Sequence, residues 1–316
     1  MTKPFRFGLQ AGTLPAESWR ERVQKIEQLG YSTLFVPDHF STQWDPIAAL
    51  AAAAAATERL NVGSLVYDVD YRHPVVYAKA SATIQLLSGG RHEFGLGAGW
   101  METDYVEAGM PYDRIGVRIE RLEEALQIIR AMWTQERTSF EGKHYQIKEI
   151  AQAVELPPAS EPKLLIGGGG RRMLGLAGRC ADIVGITAAL PEGRVTADTA
   201  KDLAPARVRQ KIEWIRAGID SAGRDPESVE LSCLAFMVSL TDDPSGIREM
   251  LSKSTGMSLD EIIDCPLFLT GPGSEIQDRL QKLREQTGIS YVVIQGTDME
   301  VVEPFAEQVV APLAGH

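Results

Sequence analysis

The chain has 316 residues, 44% of them hydrophobic and 24% charged, which is an ordinary globular balance with enough length for a large buried core. A net charge of −11 argues against a nonspecific nucleic-acid binder. No apolar run is long enough to span a bilayer, the start MTKPFRFGLQ lacks the layout of a signal peptide, and Cys180, Cys233 and Cys265 show no CxxC spacing; together these predict a cytoplasmic protein with no membrane span, disulfide scaffold or zinc ribbon.

Taken in chain order, short apolar runs alternate with amphipathic stretches. A strand is predicted over 5–10, then a helix over 16–29 that stops at Gly30. A strand over 33–36 precedes a helix over 45–57 with Pro46 in its first turn. A strand over 61–66 precedes a helix over 74–87, again opened by proline. Further strands are predicted at 92–96, 163–166, 183–186, 229–240 and 291–294, with helices at 116–133, 171–180, 205–222, 274–287 and 302–312. Sustained β-then-α alternation implies a parallel sheet, and about eight such units favour a closed barrel over an open one. An open dinucleotide-binding sheet would need an early GxGxxG, but residues 8–13 read GLQAGT. Three segments interrupt the pattern: a hairpin over 137–149 turning at Glu141–Gly142, a long connection over 188–203, and a partly helical stretch over 242–266. Insertions after strands are expected at the C-terminal mouth of a barrel. No linker or repeat divides the chain, so one domain is predicted.

Four clusters carry chemistry. In Thr33–Phe40 (TLFVPDHF) an apolar strand runs straight into Asp38 and His39. Either the pair caps the next segment, or it faces a ligand at the mouth, with Asp38 orienting the imidazole or bonding a cofactor ring. In LSGGRHEFGLGAGW (87–100), Gly95, Gly97 and Gly99 alternate, so another surface can approach closely: a planar ring or a packed helix. Trp100 then lies at the mouth. Gly167–Gly170 follow a strand and open a helix, where backbone N–H groups suit a phosphate and Arg171 and Arg172 add charge. In 64–74 (SLVYDVDYRHP) Tyr67 and Asp68 stand nearest the strand end, and Arg72 has Asp70 as a candidate partner. These features suggest a planar, phosphorylated cofactor.

In this order the segments resemble the luciferase-like monooxygenase superfamily, most closely its branch that uses the deazaflavin coenzyme F420. The resemblance rests on Pro37-Asp38-His39-Phe40 with Trp44, Arg72-His73-Pro74, LSGGRHEFGLGAGW, Gly167–Gly170 with Ala177-Gly178-Arg179, Leu269-Thr270-Gly271-Pro272 and Tyr291–Ile294. It covers nearly the whole chain, but its motifs separate F420 poorly from FMN. It implies a TIM (β/α)8 barrel over 1–316, with insertions near 137–160, 188–203 and 242–266 at the mouth. It places Asp38 and Tyr67 against the cofactor ring, with Gly97 among the ring-side glycines. Ser64–Leu65 falls on the non-prolyl cis peptide that backs the ring, and Gly169 and Gly170 on the phosphate, with Arg171 beside them. His39 is implied in proton transfer, with Trp44 and Trp100 in the active site. Trp100 stands where the sugar-phosphate dehydrogenases of the branch carry a glutamate, which points to a small, more apolar substrate and away from a sugar phosphate. The implied activity is hydride transfer between F420 and that substrate. The alternatives are an FMN-dependent monooxygenase using reduced flavin and oxygen, and a cofactor-binding protein without turnover. A homodimer through helices of the second and third units is also implied, with no nucleic-acid or membrane partner.

Overall fold

Strand β1 (Arg6–Gln10) shows how the barrel is built. Phe7 and Leu9 face the outer helices, while Gly8 lies against the inward side chains of Phe35 and Val293. This period-two alternation recurs in β2 (Thr33–Val36), β3 (Asn61–Ser64), β4 (His92–Gly97), β5 (Lys163–Gly168), β6 (Ile183–Ile186), β7 (Glu230–Ala235) and β8 (Ile289–Gln295). Each strand pairs in parallel with the next in chain order, and β8 returns to β1 through Arg6↔Tyr291 and Gly8↔Val293, which closes the sheet. The computed structural model describes residues 3–152, 154–190 and 193–315. Ala153, Pro191 and Glu192, within two of the expected insertions, lie outside the described residues.

Helices α1 (Trp19–Gln28), α2 (Pro46–Ala56), α3 (Pro74–Leu87), α4 (Ile115–Thr134), α5 (Arg171–Cys180), α6 (Pro205–Ser221), α7 (Gly273–Thr287) and α8 (Met299–Phe305) follow the strands. Proline opens α2, α3 and α6, where a missing N–H costs nothing. Asp45 caps α2 by accepting the Ala48 N–H. None of the described helices is long and apolar enough to cross a membrane.

Two apolar layers result. The large one lies between strands and helices, and the small one inside the barrel consists of Phe35, Leu165, Ile183, Tyr291 and Val293. Below the inner layer the barrel floor is ionic. Arg6 donates to Glu93 at 2.7 Å and to both Glu230 oxygens at 3.0 and 2.8 Å, and the Tyr291 hydroxyl donates to Glu93 at 2.9 Å.

Three expectations change. The run 229–240 is two strands, because the chain leaves the barrel at half-exposed Phe236 and Met237–Leu240 pairs with Phe268–Gly271 in a separate parallel pair. The hairpin (Arg137–Glu141 and Gln146–Ala151) follows helix α4 rather than a strand, so it is not an insertion after a strand at the mouth. It folds back along α4, where Glu124 accepts the backbone N–H groups of Lys143, His144 and Tyr145. Strand β3 stops at Ser64 instead of Val66, since the Leu65–Val66 peptide is cis and the chain bulges into the barrel.

Candidate active site

Strand β2 delivers Asp38 and His39 to the mouth. Asp38 is buried and does not orient His39. Its Oδ2 accepts from Arg72 Nη1 at 2.7 Å, the Asp68 N–H at 3.2 Å and the Tyr77 hydroxyl at 3.4 Å. Arg72 reaches on to Asp45 at 2.7 Å. The expected Arg72–Asp70 pair is not formed. Asp70 instead takes two bonds from Arg121, at 2.7 and 2.8 Å, and Arg121 also holds Asp113. Asp38 and Asp70, the two with buried side chains, each have a cation within reach, as burial requires.

The partner of His39 is Asp104, on the short helix Glu102–Glu107. His39 Nδ1 and Asp104 Oδ2 are 2.6 Å apart, and the Tyr71 hydroxyl donates to the same oxygen at 3.0 Å. The Trp100 ring stands perpendicular to the imidazole at 5.6 Å, as expected for a mouth residue. Tyr71 stacks on half-exposed Phe40 at 4.2 Å. His39 Nε2 carries no hydrogen bond among the described residues, so the dyad leaves one nitrogen for a ligand. Sequence reasoning missed Asp104 and Tyr71. Their signal, an acid and aromatics beside Trp100 and Arg72, is common to many solvated loops.

Next to the dyad, the Tyr105 hydroxyl lies 3.0 and 2.8 Å from the two Asp68 oxygens and 3.0 Å from Asp70. Burial pushes the Asp68 carboxyl up to about 7; the Asp70 N–H and the Tyr105 hydroxyl pull against it, and the charges of Asp70 and Asp38 add to it.

Counting along the motif misplaces the cis peptide by one residue: it joins Leu65 to Val66, not Ser64 to Leu65. Ser64 is buried, with its hydroxyl donating to the Val36 carbonyl, whereas Leu65 is partly buried at the top of the barrel interior and its carbonyl accepts from Gln10. The bulge also explains the alternating glycines. A Cβ on Gly97 would lie 2.7 Å from Val66 Cγ2, and one on Gly95 would run into the Ser64 carbonyl. Gly95 and Gly97 thus admit the chain's own bulge, while Gly99 leaves room for Tyr105, on the helix Glu102–Glu107, and for Asp68. Tyr67 is not at the mouth. Its ring is buried with Tyr77 and Phe94 between sheet and helices.

At the opposite rim the glycine run opens α5. Gly169 has no room for a side chain, because a Cβ would strike the backbone of Ala188 and Ala189. Its carbonyl accepts from Lys211 Nζ at 2.5 Å, and this fully buried lysine also holds Asp202 at 2.7 Å. Asp202 accepts the Ala189 N–H in turn, so the turn and the 188–203 connection form one unit. Gly170 differs. Nothing lies within 4 Å of a Cβ there, it precedes a ten-residue helix with no side-chain cap, and exposed Arg171 stands beside it. Of the predicted phosphate residues, Gly170 and Arg171 are thus open and Gly169 is enclosed. Trp44 lines a small apolar cavity with Trp19, Leu34 and Val36, behind strand β2.

A closed parallel barrel with a carboxylate–histidine dyad at its mouth defines an α/β-barrel enzyme scaffold. The profile of the luciferase-like monooxygenase family matches residues 2–287, and the chain belongs to that family. A phthiodiolone/phenolphthiodiolone dimycocerosates ketoreductase of Mycobacterium kansasii is 30% identical over 89% of this chain and 78% of its own. An F420-dependent glucose-6-phosphate dehydrogenase of Intrasporangium calvum is 34% identical, and the chain spans about half the length of that relative (51% of each). The structure of an F420-dependent tetrahydromethanopterin reductase from Methanopyrus kandleri superposes with a TM-score of 0.78 at 17% identity, covering 98% of this chain and 99% of that one, which establishes the shared fold.

Proposed function

We propose that this protein is an F420-dependent oxidoreductase acting on a small hydroxyl or carbonyl substrate, with His39 as the proton-transfer group. The reading is carried by the His39–Asp104 dyad, which leaves Nε2 without a hydrogen bond among the described residues. The chain's residues fit the cofactor's chemistry. The uncapped N-terminus of α5 at Gly170, with Arg171 beside it, suits an anionic group. The Leu65–Val66 bulge would back the ring, and Asp38, held by Arg72, would stand beside it. Bound F420 supplies a two-electron hydride donor or acceptor. His39 Nε2 takes the hydroxyl proton when a carbinol is oxidised, or returns it to a carbonyl oxygen on reduction. Trp100 limits the space above the imidazole and favours an apolar substituent.

The expectation that the substrate is something other than a sugar phosphate is not carried into the proposal. The match to a glucose-6-phosphate dehydrogenase keeps them among the substrates to screen, beside ketones and alcohols. A cytoplasmic homodimer without nucleic-acid or membrane partners belongs to the same proposal. The test is fluorescence quenching with F420 and with FMN. Tighter F420 binding, together with a His39→Ala variant that binds F420 normally but loses about 10²–10⁴-fold in turnover, supports the reading. Preference for reduced FMN, or full activity of His39→Ala, overturns it.

A further inference from the structure

We infer that Asp104, braced by Tyr71, is a positioning residue that decides which nitrogen of His39 does the chemistry. The inference rests on the proposed proton-transfer role of His39 but not on the identity of the cofactor.

Asp104 has a side chain only 5% exposed, and a single oxygen, Oδ2, meets both His39 Nδ1 at 2.6 Å and the Tyr71 hydroxyl at 3.0 Å. The Tyr71 hydroxyl already donates to this oxygen, and an ionised carboxylate only accepts, so the 2.6 Å contact needs its hydrogen from the imidazole. The hydrogen on neutral His39 therefore sits on Nδ1, and Nε2 carries the lone pair. Tyr71 cannot drift from this geometry easily. Its ring is stacked on Phe40 at 4.2 Å and lies against Tyr105 at 5.6 Å. The Trp100 ring at right angles to the imidazole fixes the ring plane from another side.

The consequence is directional. In this neutral form His39 is ready to accept a proton. When a substrate hydroxyl gives its proton to Nε2 and its carbon gives a hydride to the bound two-electron cofactor, the imidazolium that forms is paired at once with the Asp104 carboxylate. In the reverse direction the carbonyl carbon takes a hydride from the reduced cofactor while the same imidazolium delivers the proton to the carbonyl oxygen and returns to the Nδ1–H form. Asp104 touches neither reacting atom; it acts through His39. A purely structural ion pair with a charged imidazole would tie the Glu102–Glu107 helix to the mouth with both ring nitrogens protonated and no tautomer selected.

The deciding measurement is ¹⁵N NMR of the histidine-labelled protein without cofactor, with the His39 signals assigned by their loss in His39→Gln. Wild type is expected to show protonated Nδ1 and bare Nε2 at a pH where His39 is neutral. Asp104→Ala should move His39 to the Nε2–H tautomer, which an imidazole without such a partner prefers, and Tyr71→Phe should give a mixture. An Nε2–H tautomer in wild type, or an unchanged tautomer in Asp104→Ala, overturns the inference. The wild-type spectrum alone decides the tautomer, so a variant that fails to fold leaves the inference testable. If F420 fails to bind the same wild-type sample, the cofactor reading fails while the tautomer result stands.

Discussion

Both ends of the barrel bury charge, and they do so to opposite effect. On the floor, Arg6, Glu93, Glu230 and Tyr291 saturate one another. Both oxygens of each glutamate are occupied, and the guanidinium also lies 3.9 Å over the Tyr291 ring. At the mouth Asp38, Asp70 and Asp104 are likewise paired, yet among the described residues His39 Nε2 has no protein partner, and Phe40 is half-exposed. A closed network seals a barrel, whereas one that stops a bond short can act on something else.

The largest expected effect comes from breaking the floor. Arg6→Ala would leave Glu93 buried and unpaired and should cost about 3–5 kcal/mol, read by urea denaturation, without changing F420 affinity in the protein that remains folded. An equal loss of affinity would show that floor and mouth are not independent. At the mouth the neighbouring glycines should separate. Gly169→Ala forces a Cβ into the Ala188 carbonyl and should cost about 1–3 kcal/mol, while Gly170→Ala should leave stability within about 0.5 kcal/mol. Equal costs would mean that the turn is not locked by Lys211 and Asp202.

A third test uses pH. The folded state raises Asp68 from its ordinary 3.8 to about 7 by burial, so the native protein binds the extra proton and stability falls as pH rises through that window. Burial lowers His92, behind the sheet, from 6.5 to about 4, so its contribution runs the other way, with stability rising as pH climbs from about 4 to 6.5. The two slopes oppose each other in wild type. Asp68→Asn should uncover the His92 rise, at most about 1.4 kcal/mol per pH unit, in denaturation midpoints measured from pH 4 to 7. No change in slope would place Asp68's titration outside the window. The smallest effect is expected from Arg171→Ala, which should leave stability alone and weaken F420 binding about threefold to tenfold, less so in high salt.

Much of this architecture was legible in one dimension. The helix over 74–87 and the strand over 183–186 match their predicted bounds, because proline at N1 and a short apolar run between turns are local signals. His39 at a strand end and Gly170 at a helix start were legible for the same reason. Partner choice was not. Asp38 and His39 are adjacent, yet one turns to Arg72 and the other to Asp104, 65 residues away. Asp70, two residues from Arg72, goes to Arg121 instead. The pattern of glycines at 95 and 97 announced a close approach without saying that Val66 would make it.

Composition, alternation and motif spacing thus determined the barrel, its family and the positions where chemistry collects. These depend on periodicity and backbone preference, which each segment expresses by itself. Which acid faces which base, where the cis peptide falls and which nitrogen of His39 is left bare were decided only when the strand register brought distant loops to one rim. Burial makes an unpaired charge too costly to leave, and the choice of partner then rests on reach in three dimensions rather than distance along the chain.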